Sequence, residues 1–250
     1  FADFKDRLNI AKKYKSSTFI PAIAIHSPYS VHPFLVRETL NLARAENLPV
    51  SSHFLESYEE FEWLHKDEGS FVEFFKNFLN QEKAVTKPME FLNLFSNIEN
   101  LSFTHCVEAS SDDLEKIHSL GASINHCVTS NRFLNNSKLD LSKLSKIPFT
   151  IGTDGLSSNN SLSMFDELRN ALMIHCEKNI VDFSKILLKA STLNGARALG
   201  LNKGTLQKEF DADMITFTLP DEVEDVEDLC MQIILHTKFV DKTIIGGEFV

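Results

Sequence analysis

Short runs of consecutive apolar residues alternate along the chain with longer stretches in which apolar residues recur every three or four positions. Spacing of three and four is typical of amphipathic helices, and it predicts helices at residues 34–46, 112–120 and 164–176. A run that is apolar throughout is typical of a parallel strand covered on both faces. Five such strands are predicted, at residues 18–26, 49–53, 101–106, 122–127 and 148–153.

This alternation predicts an α/β fold of the (β/α)8 TIM-barrel type, in which the carboxyl ends of the strands form the active-site face. Five strands do not close a barrel of eight, so we expect its first strands to lie outside this sequence. Residues 1–203 are therefore predicted to supply the C-terminal five β/α units. After Gly204 the pattern changes to short strands, and residues 204–250 are expected to form part of a small β-sandwich domain.

The beginning of the sequence supports the same expectation. Phe1, Phe4, Leu8 and Ala11 form a helical stripe that no capping residue precedes, which indicates that the chain starts inside an element.

The segment between the second and third predicted strands, residues 58–96, is helical in pattern and rich in phenylalanine. Phe71, Phe74, Phe75 and Phe78 recur with helical spacing, so we expect them to pack into the core. A lid over an apolar pocket is the alternative.

A polar or ionisable residue lies at or beside the end of each predicted strand. These residues are His26, His53, His105, His126 and Asp154. One histidine at a strand end is usually structural, but five polar ends in series on the functional face of a barrel predict a site. Imidazole and carboxylate groups are ligands for Zn²⁺ or Fe²⁺, and a metal activates water at neutral pH. In the stretch HFLE, His53 and Glu56 would then act on one substrate as ligand and proton shuttle.

Composition and charge exclude several classes of protein. The net charge of −10 and the lack of a basic patch argue against a nucleic-acid partner. No apolar run approaches the roughly 20 residues of a membrane span, and the N-terminus does not resemble a secretory signal. Cys106, Cys127, Cys176 and Cys230 form no CxxC pattern, which favours a reducing compartment. A cytoplasmic protein without disulfides is predicted.

Six stretches now carry a resemblance to a known family. In chain order they are HSPYSVH, SSHFLES, FTHCV, INHCVTSN, IGTDGLSSNNSLSMFDELR and ASTLNGARALGL. Together they resemble the amidohydrolase superfamily, in particular its deaminases and chlorohydrolases that act on aminated heterocycles. The resemblance covers nearly the whole chain, and its TDG…SNN stretch is the most specific. It implies a TIM barrel that binds one divalent metal, zinc or iron.

The resemblance also implies roles for individual residues. His53 would be the metal ligand of the fifth barrel strand and Asp154 that of the eighth. His105 would orient the attacking water, Glu56 would protonate a ring nitrogen, and His26 would contact the substrate. The family further places a His-X-His pair of ligands on the first strand. This sequence has no such pair, so the metal site is expected to be completed by residues upstream of it.

For each of two further residues, two interpretations stay open. His126 matches the family at a strand end and either contacts the substrate or fixes the adjoining loop. Arg132 either binds an anionic group of the substrate or is a solvated surface cation.

The function that follows is metal-dependent hydrolytic deamination of an aminated purine nucleoside. The stretches HSPYSVH and SNRFL are most similar to deaminases that act on aminodeoxyfutalosine in menaquinone biosynthesis. S-adenosylhomocysteine, methylthioadenosine, guanine and chlorotriazines stay open as substrates. The alternative from another functional class is a non-catalytic remnant that has lost the first metal ligands. The expected partner is a small nucleoside-like molecule, and a homodimer is left open.

Overall fold

The structure is a computed structural model that describes all 250 residues. The chain divides into two compact units, Phe1–Ser123 and Ile124–Val250. The boundary predicted at residue 204 stays a prediction. None of the helices is both long and apolar enough to cross a membrane.

The first unit alternates strands and helices. Its elements are α1 (Ala2–Lys13), β1 (Ile23–Ile25), α2 (Pro33–Glu46), β2 (Val50–Phe54), α3 (Tyr58–Lys66), α4 (Ser70–Leu79), α5 (Pro88–Asn93), β3 (Leu101–His105) and α6 (Ser111–Ser119). The strands are parallel, with Ile23 of β1 opposite Val50 of β2 and Ser52 of β2 opposite Phe103 of β3. Parallel pairing brings the carboxyl ends of β1, β2 and β3 to one edge.

Aromatic side chains form much of the first unit's core. The ring of Phe54 lies 6.3 Å from that of Phe91 and 5.8 Å from that of Phe103, and Phe95 lies 5.1 Å from Phe103. All four rings are fully buried. Aromatic pairs at these separations add to the stability from buried area, so the core fixes the ends of β2 and β3.

Helix α4 buries fewer of its phenylalanines than the spacing predicts. Phe75 is buried, but Phe74 and Phe78 are 57% and 74% exposed. The core prediction is wrong for these two residues. Spacing shows which residues share a helix face, but only tertiary packing decides how much of that face is covered.

The first predicted strand is also too long. Residues 18–22 precede β1, which begins at Ile23. Pro21 has no backbone N–H to donate to a neighbouring strand, which explains why pairing starts after it. The helices predicted at residues 34–46 and 112–120 are confirmed by α2 and α6 within one residue at each end.

The second unit continues the alternation. Its elements are β4 (Ser123–His126, whose first residue closes the first unit), α7 (Val128–Phe133), β5 (Phe149–Ile151), α8 (Met164–Ile174), α9 (Ile180–Lys189), α10 (Gly195–Ala198), β6 (Met214–Thr216), α11 (Leu229–His236), β7 (Lys242–Ile245) and β8 (Glu248–Phe249). β4 and β5 are parallel, with Ile124 opposite Phe149. Their core includes Ile151, Leu168, Ala171, Leu187 and Ile234.

The last strands form a separate antiparallel sheet of β6, β7 and β8. Gly246 and Gly247 join β7 to β8 with φ angles of 60° and 87°. A two-residue hairpin turn with positive φ at both positions favours glycine, because other residues are strained there. The short strands predicted after Gly204 are confirmed.

Candidate active site

His53 is near the end of β2, and its ring is held by a backbone carbonyl. Its Nδ1 atom lies 2.7 Å from the carbonyl oxygen of His26. A carbonyl oxygen accepts hydrogen bonds only, so Nδ1 carries the proton and, in the neutral ring, Nε2 keeps a free lone pair. This is the tautomer in which histidine binds a metal through Nε2. The geometry of His53 therefore fits a metal ligand.

Glu56 and His105 meet beside His53. The Nε2 atom of His105 lies 3.5 Å from Oε1 of Glu56, and the His105 ring stacks on the His53 ring with centroids 5.4 Å apart. The His105 side chain is fully buried, and the Glu56 side chain is 21% exposed. The HFLE stretch thus directs Glu56 to the neighbouring strand end. A partly accessible carboxylate beside a buried imidazole is suited to proton transfer.

The backbone is left-handed at several of these positions. Leu55, His105 and Cys106 have φ angles of 46°, 71° and 54°. Residues with a Cβ atom adopt this region uncommonly, and such residues cluster at functional sites. In this unit they turn the chain sharply at the ends of β2 and β3.

His26 directly follows β1, with its ring centroid 5.3 Å from that of His53. Its Nδ1 atom is 2.5 Å from the hydroxyl of Ser30, and the ring of Tyr29 approaches it edge-on at 5.8 Å. Partial burial of the ring, and then the proximity of His53, lower the pKa of His26. The first unit therefore brings together His26, His53, Glu56 and His105.

In the second unit, Asp154 follows β5 in a left-handed conformation, with φ of 58°. Its Oδ2 atom accepts hydrogen bonds from the hydroxyls of Ser130, at 2.6 Å, and Ser158, at 3.1 Å. Its Oδ1 atom accepts one from the backbone N–H of Gly155 at 2.7 Å. Carboxylates that bind metals in proteins are commonly held in place by hydrogen bonds of this kind.

A buried network holds the loop that carries Asp154. Glu167 of α8 accepts hydrogen bonds from Thr129, through its N–H at 2.9 Å and its hydroxyl at 2.6 Å. The amide of Asn159 donates to Glu167 at 3.2 Å and to the carbonyl of Thr153 at 2.6 Å. Glu167 is 1% exposed. These bonds tie the residue before Asp154 to α7 and α8.

His126 is buried and pairs with His175, which follows α8. Their Nε2 atoms lie 2.9 Å apart, and Nδ1 of His175 lies 3.6 Å from a carboxylate oxygen of Glu177. This contact supports the interpretation in which His126 fixes its loop. Arg132 is exposed on α7, which supports a solvated cation. For both residues, substrate binding stays a prediction.

Several of these residues were not found from the sequence. Two features of the sequence could have indicated some of them: a run of small polar residues after Asp154, and an acid within the apolar face of a helix. The residues are Thr129, Ser158, Glu167 and His175, together with Glu60 of α3, which is 1% exposed. Their partners are distant along the chain or depend on the loop conformation, so spacing alone did not reveal them.

The His126–His175 pair predicts a dependence of stability on pH. Burial, and then the positive charge of Lys138, lower the pKa of His175 below its usual 6.5. Lys178 also lowers it, whereas Glu177 opposes the shift. As the pH falls below 6.5, the unfolded chain binds a proton that folded His175 does not, so stability falls.

We expect His175→Asn to flatten this acid-side loss in thermal unfolding measured between about pH 8 and pH 5. His118→Asn, on the exposed side of α6, is the matched control and should keep the parent's slope. The comparison uses the slope of the unfolding temperature against pH, because removing the contact with His126 also shifts the unfolding temperature itself. Equal slopes in His175→Asn and the parent would show that His175 does not cause the pH dependence.

Parallel α/β segments with imidazole and carboxylate groups at or near the ends of their strands are typical of α/β barrel proteins. Residues 3–250 match the amidohydrolase family, and the chain belongs to that family. The predicted family and the predicted α/β barrel fold are confirmed.

Three similar proteins are informative. The chain is 44% identical over 248 residues to the aminodeoxyfutalosine deaminase of a Nitratiruptor species, covering 99% of the chain and 61% of that protein. It is 34% identical to the adenosine deaminase of Helicobacter pylori, covering 98% of the chain and 61% of that protein.

The crystal structure of Helicobacter pylori aminofutalosine deaminase in complex with methylthio-coformycin superposes with a TM-score of 0.95 at 32% identity. That match covers 100% of the chain and 62% of the solved chain. The chain therefore spans about three fifths of the length of these relatives.

Proposed function

We propose that the protein carrying this chain is a metal-dependent deaminase that releases ammonia from an adenine-type nucleoside, with aminodeoxyfutalosine of menaquinone biosynthesis as its substrate. The observation that carries the proposal is the 44% identity, over 99% of the chain, to an aminodeoxyfutalosine deaminase. The likeness to a solved aminofutalosine deaminase with methylthio-coformycin supports the same class of substrate. We assign the reaction to the cytoplasm.

His53 and Asp154 are the proposed ligands of one divalent metal, zinc in the first place. The Nδ1 contact of His53 leaves Nε2 for coordination, and the donors around Asp154 hold its carboxylate in place. Nitrogen and oxygen ligands of this kind suit zinc, while iron is the alternative. When bound, such a metal activates water for attack at neutral pH.

The other strand-end residues move protons and hold the substrate in this proposal. Glu56 takes the proton from the attacking water and delivers it to a ring nitrogen beside the carbon that bears the amino group. It then transfers the proton of the new C–OH group to the amino group, the C–N bond breaks and ammonia leaves. His105, 3.5 Å from Glu56, orients that water. His26 contacts the nucleoside, and its lowered pKa favours the neutral ring, which both donates and accepts hydrogen bonds.

The substrate assignment is tested by ammonia release from a panel of candidates. The panel contains aminodeoxyfutalosine, adenosine, methylthioadenosine, S-adenosylhomocysteine, guanine and a chlorotriazine, the last assayed by chloride release. We expect kcat/KM for aminodeoxyfutalosine to exceed that for each of the others by at least about tenfold. A preference for guanine or the chlorotriazine would contradict the nucleoside assignment.

Metal content separates an enzyme from a non-catalytic remnant. The full-length protein is expected to purify with about one tightly bound zinc ion per chain and to lose activity on chelation. Loosely held metal together with no turnover on any member of the panel would favour the remnant.

A further inference from the structure

Glu60 is a buried carboxylate that the proposed reaction does not use. It lies in the first turn of α3 and is 1% exposed, beside the buried side chains of Trp63 and Leu64 on the same helix. Its Oε2 atom accepts a hydrogen bond from the backbone N–H of Glu56 at 2.9 Å. Its Oε1 atom accepts one from the backbone N–H of Leu55 at 3.2 Å. Both carboxylate oxygens therefore hold the turn that precedes the helix.

Two other helices of the same unit show what an acid at this position usually does. In α5 and α6 the acid three residues after the N-cap, Glu90 or Asp113, accepts a hydrogen bond from the N-cap residue's own N–H, at 3.0 and 2.9 Å. That arrangement is the capping box, which satisfies the end of the helix. Glu60 occupies the same position after its N-cap Ser57 but reaches one and two residues further back. Capping of α3 does not explain this contact.

The turn that Glu60 holds has a strained conformation. Leu55 is left-handed, with φ of 46°, and its side chain is fully buried. A leucine adopts this conformation when its surroundings impose it. A buried N–H without an acceptor is costly, so the two bonds to Glu60 favour this turn over alternatives. The direction of the Glu56 side chain depends directly on the turn.

We propose that Glu60 is a positioning residue that clamps the Leu55–Glu56 turn and thereby aims the Glu56 carboxylate at the reacting atoms. The proposal rests on the proton-transfer role assigned to Glu56 under the proposed function. Glu60 touches neither substrate nor metal in this arrangement, and it acts through the backbone of Glu56.

The two bonds of Glu60 require acceptor oxygens, although burial opposes ionisation of the acid. Burial raises the pKa of Glu60, the two backbone donors lower it and the charge of Glu56 raises it, and together these effects bring it to about 7. Tyr29 and Cys106 are the other titratable groups that face it. The ionised carboxylate accepts from both N–H groups, whereas a neutral substitute that presents a donor opposes one of them.

Glu60→Gln tests the clamp, because glutamine keeps the shape but offers one acceptor and one donor. We expect kcat to fall by about 10²-fold, as for a misplaced catalytic group, with KM changed by less than about threefold and metal content unchanged. The matched control is Glu59→Gln, on the exposed neighbour of Glu60, which should behave like the parent. Glu60→Asp, whose carboxylate is shorter by one methylene, should lie between the parent and Glu60→Gln.

Amide hydrogen exchange supplies a readout that does not depend on activity. The peptide containing Leu55 and Glu56 should exchange faster in Glu60→Gln than in the parent and in Glu59→Gln. Unchanged exchange, or a kcat within about threefold of the parent despite faster exchange, would overturn the proposal. If Glu60→Gln does not fold, parent-like kcat and exchange in Glu60→Asp would overturn it equally. A parent without deaminase activity would count against the proposed function, while the exchange comparison would still decide whether the clamp exists.

Discussion

His53→Ala is expected to lose bound metal and deaminase activity together, with kcat/KM falling by about 10³-fold or more. The Nδ1 contact with the His26 carbonyl fixes the ring and leaves Nε2 as a ligand atom. Alanine removes that ligand without adding another, so metal affinity and the activation of water fall in parallel. The measurement is metal content by elemental analysis, together with kcat and KM on aminodeoxyfutalosine.

The control for this variant is His118→Ala, which removes an exposed imidazole of α6 and should keep both metal and turnover. Asp154→Ala should also lose bound metal and activity together, because it removes the second proposed ligand. A His53→Ala protein with the parent's metal content and turnover would remove His53 from the metal site. Loss of activity with full metal content would instead assign the ring to substrate binding.

The strands could be predicted from the sequence because a parallel strand covered on both faces is a short apolar run, and here a polar residue lies at or close to the end of that run. His105 ends β3, His53 is the next-to-last residue of β2, and Asp154 lies three residues beyond the end of β5. The direction of the side chains could not be predicted. Glu56 contacts His105 at 3.5 Å because Leu55 turns the chain, and nothing in the HFLE stretch indicates a left-handed leucine.

Contacts between distant residues were beyond sequence reasoning. His126 and His175 are 49 positions apart and form one hydrogen-bonded pair. Glu60 follows a typical N-cap serine, so its sequence context predicts a capping box, yet its carboxylate holds the preceding turn. In both cases the local pattern gives the correct element, and the tertiary fold decides what the side chain does there.

Glu56→Gln is expected to keep the fold and the metal while losing turnover by about 10⁴-fold, the upper end of the range for general acid–base catalysis. In the proposed reaction Glu56 acts both on the ring nitrogen and on the departing ammonia, so two proton transfers fail together. Substrate binding should weaken less than turnover, because glutamine still donates a hydrogen bond to a ring nitrogen but cannot deliver a proton. The measurement is kcat and KM on aminodeoxyfutalosine, with metal content.

The contrast with His53→Ala makes this test specific, since the two residues lie three positions apart but have different roles. His53→Ala should lose metal, whereas Glu56→Gln should retain it, and a variant with a general folding defect would not separate in this way. Glu59→Gln, an exposed glutamate three residues further along, is the matched control and should turn over like the parent. A Glu56→Gln protein within about threefold of the parent's kcat would show that Glu56 carries no proton in the reaction. The HFLE spacing would then be a connection between β2 and α3, and His105 would be the next group to test as the proton carrier.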